Sequence, residues 1–83
     1  MTEYLNADSL CKIVAFALNV EESKVNIGTK QSDLDEWDSF GQIAIISSTE
    51  AKYGISFLTE EIFSFHTVND LLHLAKKKIQ PES

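Results

Sequence analysis

"EWDSFGQIAIISSTEAKYG", residues 36–54, is the stretch whose reading decides the fold. It opens on acids around a tryptophan, passes through a serine and ends at a glycine, with no proline between. Ser39 to Gln42 reads S-x-x-Q, the capping box that starts a helix by satisfying backbone N–H groups lacking intrahelical partners. Phe40, Ile43, Ile46 and Tyr53 recur at helical spacing and are expected to form the buried stripe, with Ser47 and Glu50 completing the period. Ile45 falls off that stripe, so the helix carries apolar surface on more than one side. Gly54 supplies the stop, because glycine takes the left-handed conformation that ends helices. The reading is a helix over residues 39–53.

Working outward, residues 3–18 place Leu10, Val14 and Ala17 at helical spacing with Ile13 alongside, which predicts a first helix. Cys11 lies at the margin of that stripe and reads as a small buried hydrophobe. Residues 19–38 show no clear period. A connection of this length in so small a domain tends to be functional. Val25, Ile27, Leu34 and Trp37 are spaced apolar anchors that would pin it across a core. A long crossing connection also frees the helices it joins from being antiparallel neighbours. Downstream, Thr59 is a plausible cap for a very short helix with Glu60 and Glu61 in its first turn. Thr67 and Asp70 fit a capping box for a last helix whose stripe is Val68, Leu72, Ala75 and Ile79, with Pro81 beyond its end. No segment alternates as a strand. The expectation is an all-α protein of three main helices and one short one, a single domain over residues 1–83.

Composition narrows the function. The net charge is −6, from thirteen acids against seven bases, and all seven bases are lysine. A phosphate backbone would be repelled, and no arginine offers bidentate contacts, so nucleic acid is a poor partner. A basic protein surface is a good one. The lysines at 76, 77 and 78 sit where they would complement the dipole of the last helix. One cysteine allows no internal disulfide, which fits a reducing compartment. Glu3 and Asp8 with no basic leader, and an apolar run confined to residues 13–18, argue against a signal peptide or membrane insertion. The expected location is the cytoplasm. No heptad seam is long enough to zip two copies, so a monomer is expected.

The acids before Ser39 first suggest calcium. An EF-hand loop starting at Asp33 would put Trp37 fifth, Asp38 where the turn needs glycine, and Ala44 where a glutamate must bind. Starting at Asp35 puts Trp37 third and Ile46 twelfth, which rejects calcium. A serine hydrolase would need a base. His66 and Asp70 exist, but residues 37–41 form no G-x-S-x-G elbow and follow no strand. His66 reads as the residue before the Thr67 cap and His73 as a polar-face residue. The histidines and Cys11 lack metal-ligand spacing, and glycines 28, 41 and 54 form no phosphate loop. Ser39 remains, either as a cap alone or as a site of modification.

The order of elements around Asp38-Ser39-Phe40 resembles the acyl carrier protein family, which includes the peptidyl carrier domains. That family shows Asp-Ser followed by a large apolar residue at the start of a second helix, after a first helix and a long loop. "EAKYGISF", residues 50–57, is similar to the family's end of helix two, and "FHTVNDLL", residues 65–72, to its entry into the last helix. The resemblance spans residues 5–79 and implies a small four-helix bundle. It further implies that Ser39 receives 4′-phosphopantetheine from a phosphopantetheinyl transferase using coenzyme A and magnesium. Asp38 would then be read by that transferase. The arm would hold acyl or aminoacyl groups as thioesters, and the carrier itself would catalyse nothing.

One departure from the family stands out. Its helix two commonly carries several acids, whereas residues 39–53 hold Glu50 as their one acid, opposed by Lys52. The expectation is therefore a specialised stand-alone carrier serving an acyl- or aminoacyl-activating ligase and downstream acyl-transfer or condensing enzymes in a polyketide, peptide or glycan-decorating pathway. Phe40, Gln42, Ile45, Glu60 and Ile62 are the expected partner contacts, and Phe40, Ile43, Ile46, Phe63 and Leu71 the expected lining of any acyl cavity. The alternative is an unmodified helical interaction module that docks through helix two.

Overall fold

In the computed structural model, which describes residues 5–79, four α-helices follow one another: α1, Ala7–Leu18; α2, Ser39–Tyr53; α3, Thr59–Ile62; and α4, Val68–Ile79. Two 3-10 turns, Glu22–Lys24 and Gln31–Asp33, lie in the long connection. Among the described residues there is no strand, and the chain is a small all-helical bundle. Residues 3 and 4 of the expected first helix, and Pro81, lie outside the described residues.

Each helix end has a local cause. Asn6 caps α1, accepting from the Ser9 N–H at 2.8 Å while Ser9 Oγ accepts from the Asn6 N–H at 3.1 Å. Asn19 closes α1 in the left-handed region at φ 58°, one of the few conformations where asparagine substitutes for glycine. Gly54 closes α2 at φ 66°. Thr67 caps α4 by accepting from the Asp70 N–H at 2.9 Å, as its spacing to Asp70 predicts. The reciprocal arm of that box shifts by one residue, because Asp70 Oδ2 accepts from the N–H of His66 at 3.2 Å.

Helices α1 and α2 run antiparallel, which the length of their connection left open. Ser9 Oγ and the Tyr53 hydroxyl meet at 2.9 Å at one end. At the other, a Cβ added to Gly41 would stand 2.7 Å from Leu18 Cδ2. The connection folds over the far side and is anchored as its apolar residues predict. Val25 and Trp37 are buried, and Ile27 and Leu34 pack against the core. Its carbonyls also complete the start of α4. The Val68 N–H donates to Thr29 O at 3.1 Å and the Asn69 N–H to Ile27 O at 3.0 Å, so two donors that an isolated helix leaves open are satisfied.

The core contains Leu10, Val14, Leu18, Ile45, Ile46, Phe65, Val68, Leu71 and Leu72. The stripe predicted for α2 is rotated. Phe40 is 83% exposed and Ile43 47%, whereas Gln42, Ile45, Ile46 and Thr49 are buried. Both faces of this helix hold isoleucine, so periodicity alone does not choose between them. Thr49 is accommodated inside by donating its hydroxyl to Ile45 O at 2.8 Å. No described helix is long and apolar enough to cross a membrane.

Candidate functional site

The start of α2 is built by Asp38 rather than by Ser39. Asp38 is extended, at φ −101° and ψ −163°, and its Oδ1 accepts from the Gly41 N–H at 2.9 Å. Its carbonyl takes the first intrahelical bond, from the Gln42 N–H at 2.8 Å. The expected Ser39–Gln42 capping box is therefore not formed. The carboxylate one residue earlier is the stronger acceptor, and Gln42 is committed elsewhere. Ser39 becomes the first helical residue. Its side chain is exposed, and among the described residues no hydrogen bond engages its hydroxyl.

Two consequences follow for chemistry at Ser39. The N–H groups of Ser39 and Phe40 belong to the first turn and lack intrahelical acceptors, so the positive end of the α2 dipole faces the hydroxyl's surroundings. Asp35, Glu36 and Asp38 are all exposed in the approach, which makes the rim of the same spot acidic. A group added to the hydroxyl would meet no packed neighbour and would leave the cap intact.

Gln42 is a correction to the expected partner surface. It is 1% exposed. Its Oε1 accepts the Trp37 indole N–H, and its Nε2 donates to Ile62 O at 2.9 Å and to Phe65 O at 3.1 Å. One side chain thus ties the long connection, α2 and the end of α3 together, using both its donors. Sequence reasoning missed this role because a glutamine early in a helix looks like a capping residue. Ile45 is the second correction. At 0% exposed it is core and presents nothing to a partner.

Of the other expected partner contacts, Phe40 and Glu60 lie on the surface and Ile62 is half-buried. The predicted acyl lining divides: Ile46 and Leu71 are buried, but Phe40, Ile43 and Phe63 face solvent. The outer face of α2 consequently reads Phe40, Ile43, Ser47 and Ala51, exposed at successive turns and uncharged. Leu58 and Phe63, 56% and 54% exposed, flank the neighbouring α3. An exposed phenylalanine and isoleucine on consecutive turns are the kind of apolar surface that marks contact with another molecule.

The remaining chemistry-bearing groups play no visible part at Ser39. Cys11 is half-buried, and burial followed by the nearby Asp8 carboxylate pushes its thiol above its ordinary range, away from a reactive thiolate. His66 and His73 are exposed. Among the described residues no three His, Cys, Asp or Glu side chains are grouped to hold a metal ion. No protein-family model, curated protein or solved structure matches the chain.

Proposed function

We propose that the chain is an acyl carrier protein in which Ser39 bears 4′-phosphopantetheine. The observation that carries this reading is the division of labour between two adjacent residues. Asp38 performs the capping that would otherwise account for Ser39, and the Ser39 hydroxyl is left exposed at the positive end of a fifteen-residue helix. In the loading reaction the Ser39 oxygen would bond to the phosphorus of the coenzyme A pantetheine phosphate. The bond from that phosphorus to the adenosine bisphosphate breaks, and the serine proton passes to the transferase. The arm supplies a thiol on a long tether, which raises the effective concentration of its cargo at each partner enzyme. Asp38 is the residue that the transferase would read.

On this reading the protein works in the cytoplasm with a phosphopantetheinyl transferase, an acyl- or aminoacyl-activating ligase and downstream acyl-transfer or condensing enzymes. The uncharged outer face of α2, bearing Phe40 and Ile43 beside Ser39, supports a specialised pathway whose enzymes meet it through apolar contact. The same exposed face favours the second reading, an unmodified interaction module.

Intact mass after incubation with coenzyme A, magnesium and a broad-specificity transferase separates the two. A single phosphopantetheinyl addition, absent in Ser39→Ala, supports the carrier. Because no described contact depends on the Ser39 hydroxyl, the Ser39→Ala control is expected to stay within about 0.5 kcal/mol of the parent in stability. No addition under conditions that modify a known carrier would overturn the carrier reading and leave the docking module.

A further inference from the structure

Residues 37–42 close on themselves around Ser39. The Trp37 indole N–H donates to Gln42 Oε1, so the residue two before Ser39 is bonded to the residue three after it. We propose that this ring holds the Ser39 hydroxyl and the Asp38 carboxylate in one fixed arrangement for phosphopantetheine transfer, which makes Trp37 and Gln42 positioning residues for that reaction. The proposal rests on the carrier reading above and names the residues that present its serine.

The ring is braced at several points. Asp38 bonds across it twice, its Oδ1 accepting from the Gly41 N–H at 2.9 Å and its carbonyl from the Gln42 N–H at 2.8 Å. On the entering side the Trp37 N–H donates to Leu34 O at 3.1 Å. Gly41 admits the Glu36 carbonyl oxygen where a Cβ would run into it, so the segment entering the ring lies against the first turn of α2. The closing bond is also shielded. Trp37 is 2% exposed and Gln42 1%, so water does not compete for it. Nor is Gln42 free to turn away, because its Nε2 donates to Ile62 O at 2.9 Å and to Phe65 O at 3.1 Å. The Trp37 ring is held in turn against that of Phe65, 6.3 Å between centroids.

Starting a helix needs none of this. The Asp38 side chain alone satisfies the Gly41 N–H, and a cap leaves the direction of the preceding chain open. Here that direction is fixed by two buried side chains, while Asp38 and Ser39 between them stay exposed. Transfer depends on such placement. The Ser39 oxygen must approach the phosphorus in line with the bond to adenosine bisphosphate that breaks. A displacement of about 1 Å at a reacting atom can cost on the order of 10²-fold in rate. A serine whose backbone is set on both sides meets the transferase already aligned with the carboxylate beside it.

The test uses the whole chain with coenzyme A, magnesium and a broad-specificity phosphopantetheinyl transferase in excess. Intact mass follows a single turnover, giving a saturated rate and a half-saturation concentration, the counterparts of kcat and KM. Trp37→Phe keeps an aromatic ring and removes the closing N–H. Gln42→Met keeps side-chain length and opens the ring from its other end, so a folding failure of one variant leaves the other. Val14→Ala truncates a buried residue of α1 outside the ring and serves as a control for lost stability. Lost stability lowers the share of folded substrate, which raises the half-saturation concentration and leaves the saturated rate alone. Lost positioning lowers the saturated rate. Both ring variants are expected to lower it by about tenfold with half-saturation within about twofold of the parent, because the exposed Phe40 and Ile43 are untouched. Val14→Ala is expected to keep the parent's saturated rate. An unchanged saturated rate in the ring variants, or an equal fall in Val14→Ala, would overturn the proposal while the modified parent leaves the carrier reading standing. A parent that is never modified, under conditions that load a known carrier, overturns the carrier reading and the positioning role with it.

Discussion

Trp37 and Gln42 join the two halves of this protein: the indole N–H donates to the buried carboxamide, whose own N–H groups reach the carbonyls of Ile62 and Phe65. The Trp37 ring lies 6.3 Å from that of Phe65, so the same two elements also meet through aromatic packing. Replacing Gln42 by alanine would orphan one donor and two acceptors and leave a void. The expected cost is about 2–4 kcal/mol. Gln42→Leu, which restores volume but not the bonds, should recover only part of it. Urea midpoints followed by Trp37 fluorescence decide this, and equal stability of both variants with the parent would remove Gln42 from its role.

The rotation of α2 is tested by a matched pair of truncations. Ile45→Ala removes a fully buried side chain and is expected to cost about 2–5 kcal/mol. Phe40→Ser alters a side chain 83% exposed and is expected to change stability by no more than about 0.5 kcal/mol. Thermal denaturation of both would reverse in order if the stripe read from periodicity faced the core.

Gly41 is required by close approach. A Cβ there would run into the carbonyl oxygen of Glu36 and lie 2.7 Å from Leu18 Cδ2, and the first of these cannot swing aside as a side-chain tip would. Gly41→Ala is expected to destabilise by about 1–3 kcal/mol. At Gly28 the nearest atom to a new Cβ is Asn26 Oδ1 at 3.4 Å, and φ is not positive. Gly28→Ala should therefore be neutral or slightly stabilising. Chemical denaturation of the two variants side by side checks the contrast.

Glu61 links α3 to α4 and sets a pH dependence. Its Oε1 meets Lys78 Nζ at 2.6 Å and accepts from the Leu58 N–H at 2.8 Å, while Lys78 also lies 5.8 Å over the Phe57 ring. The hydrogen bond from Lys78, then that from Leu58, holds the Glu61 carboxyl below its ordinary value of 4.5. A carboxyl depressed in the folded state contributes stability above its unfolded value, and that contribution is lost as pH falls through the folded one. Amide protection around Glu61 and Ile62 is expected to decline below pH 4.5 in the parent and to lose that acid-dependent component in Lys78→Met. An unchanged pH profile in the variant would dissociate Lys78 from the effect.

What the sequence determined by itself was local. The bounds of α2, the stop at Gly54, the start at Thr67, and the anchoring of Val25 and Trp37 depend on caps, on left-handed glycine and on contiguous residues, so a single chain reading reaches them. What the tertiary structure decided was orientation. Phe40, Ile43, Ile45 and Ile46 are apolar on both sides of one helix, and only the placement of α1 and Phe65 selects which of them is buried. Gln42 lies inside because partners five, twenty and twenty-three residues away satisfy it. Asp38 displaced Ser39 as the cap because its carboxylate takes the Gly41 N–H and its carbonyl takes the Gln42 N–H that a Ser39 cap would have used.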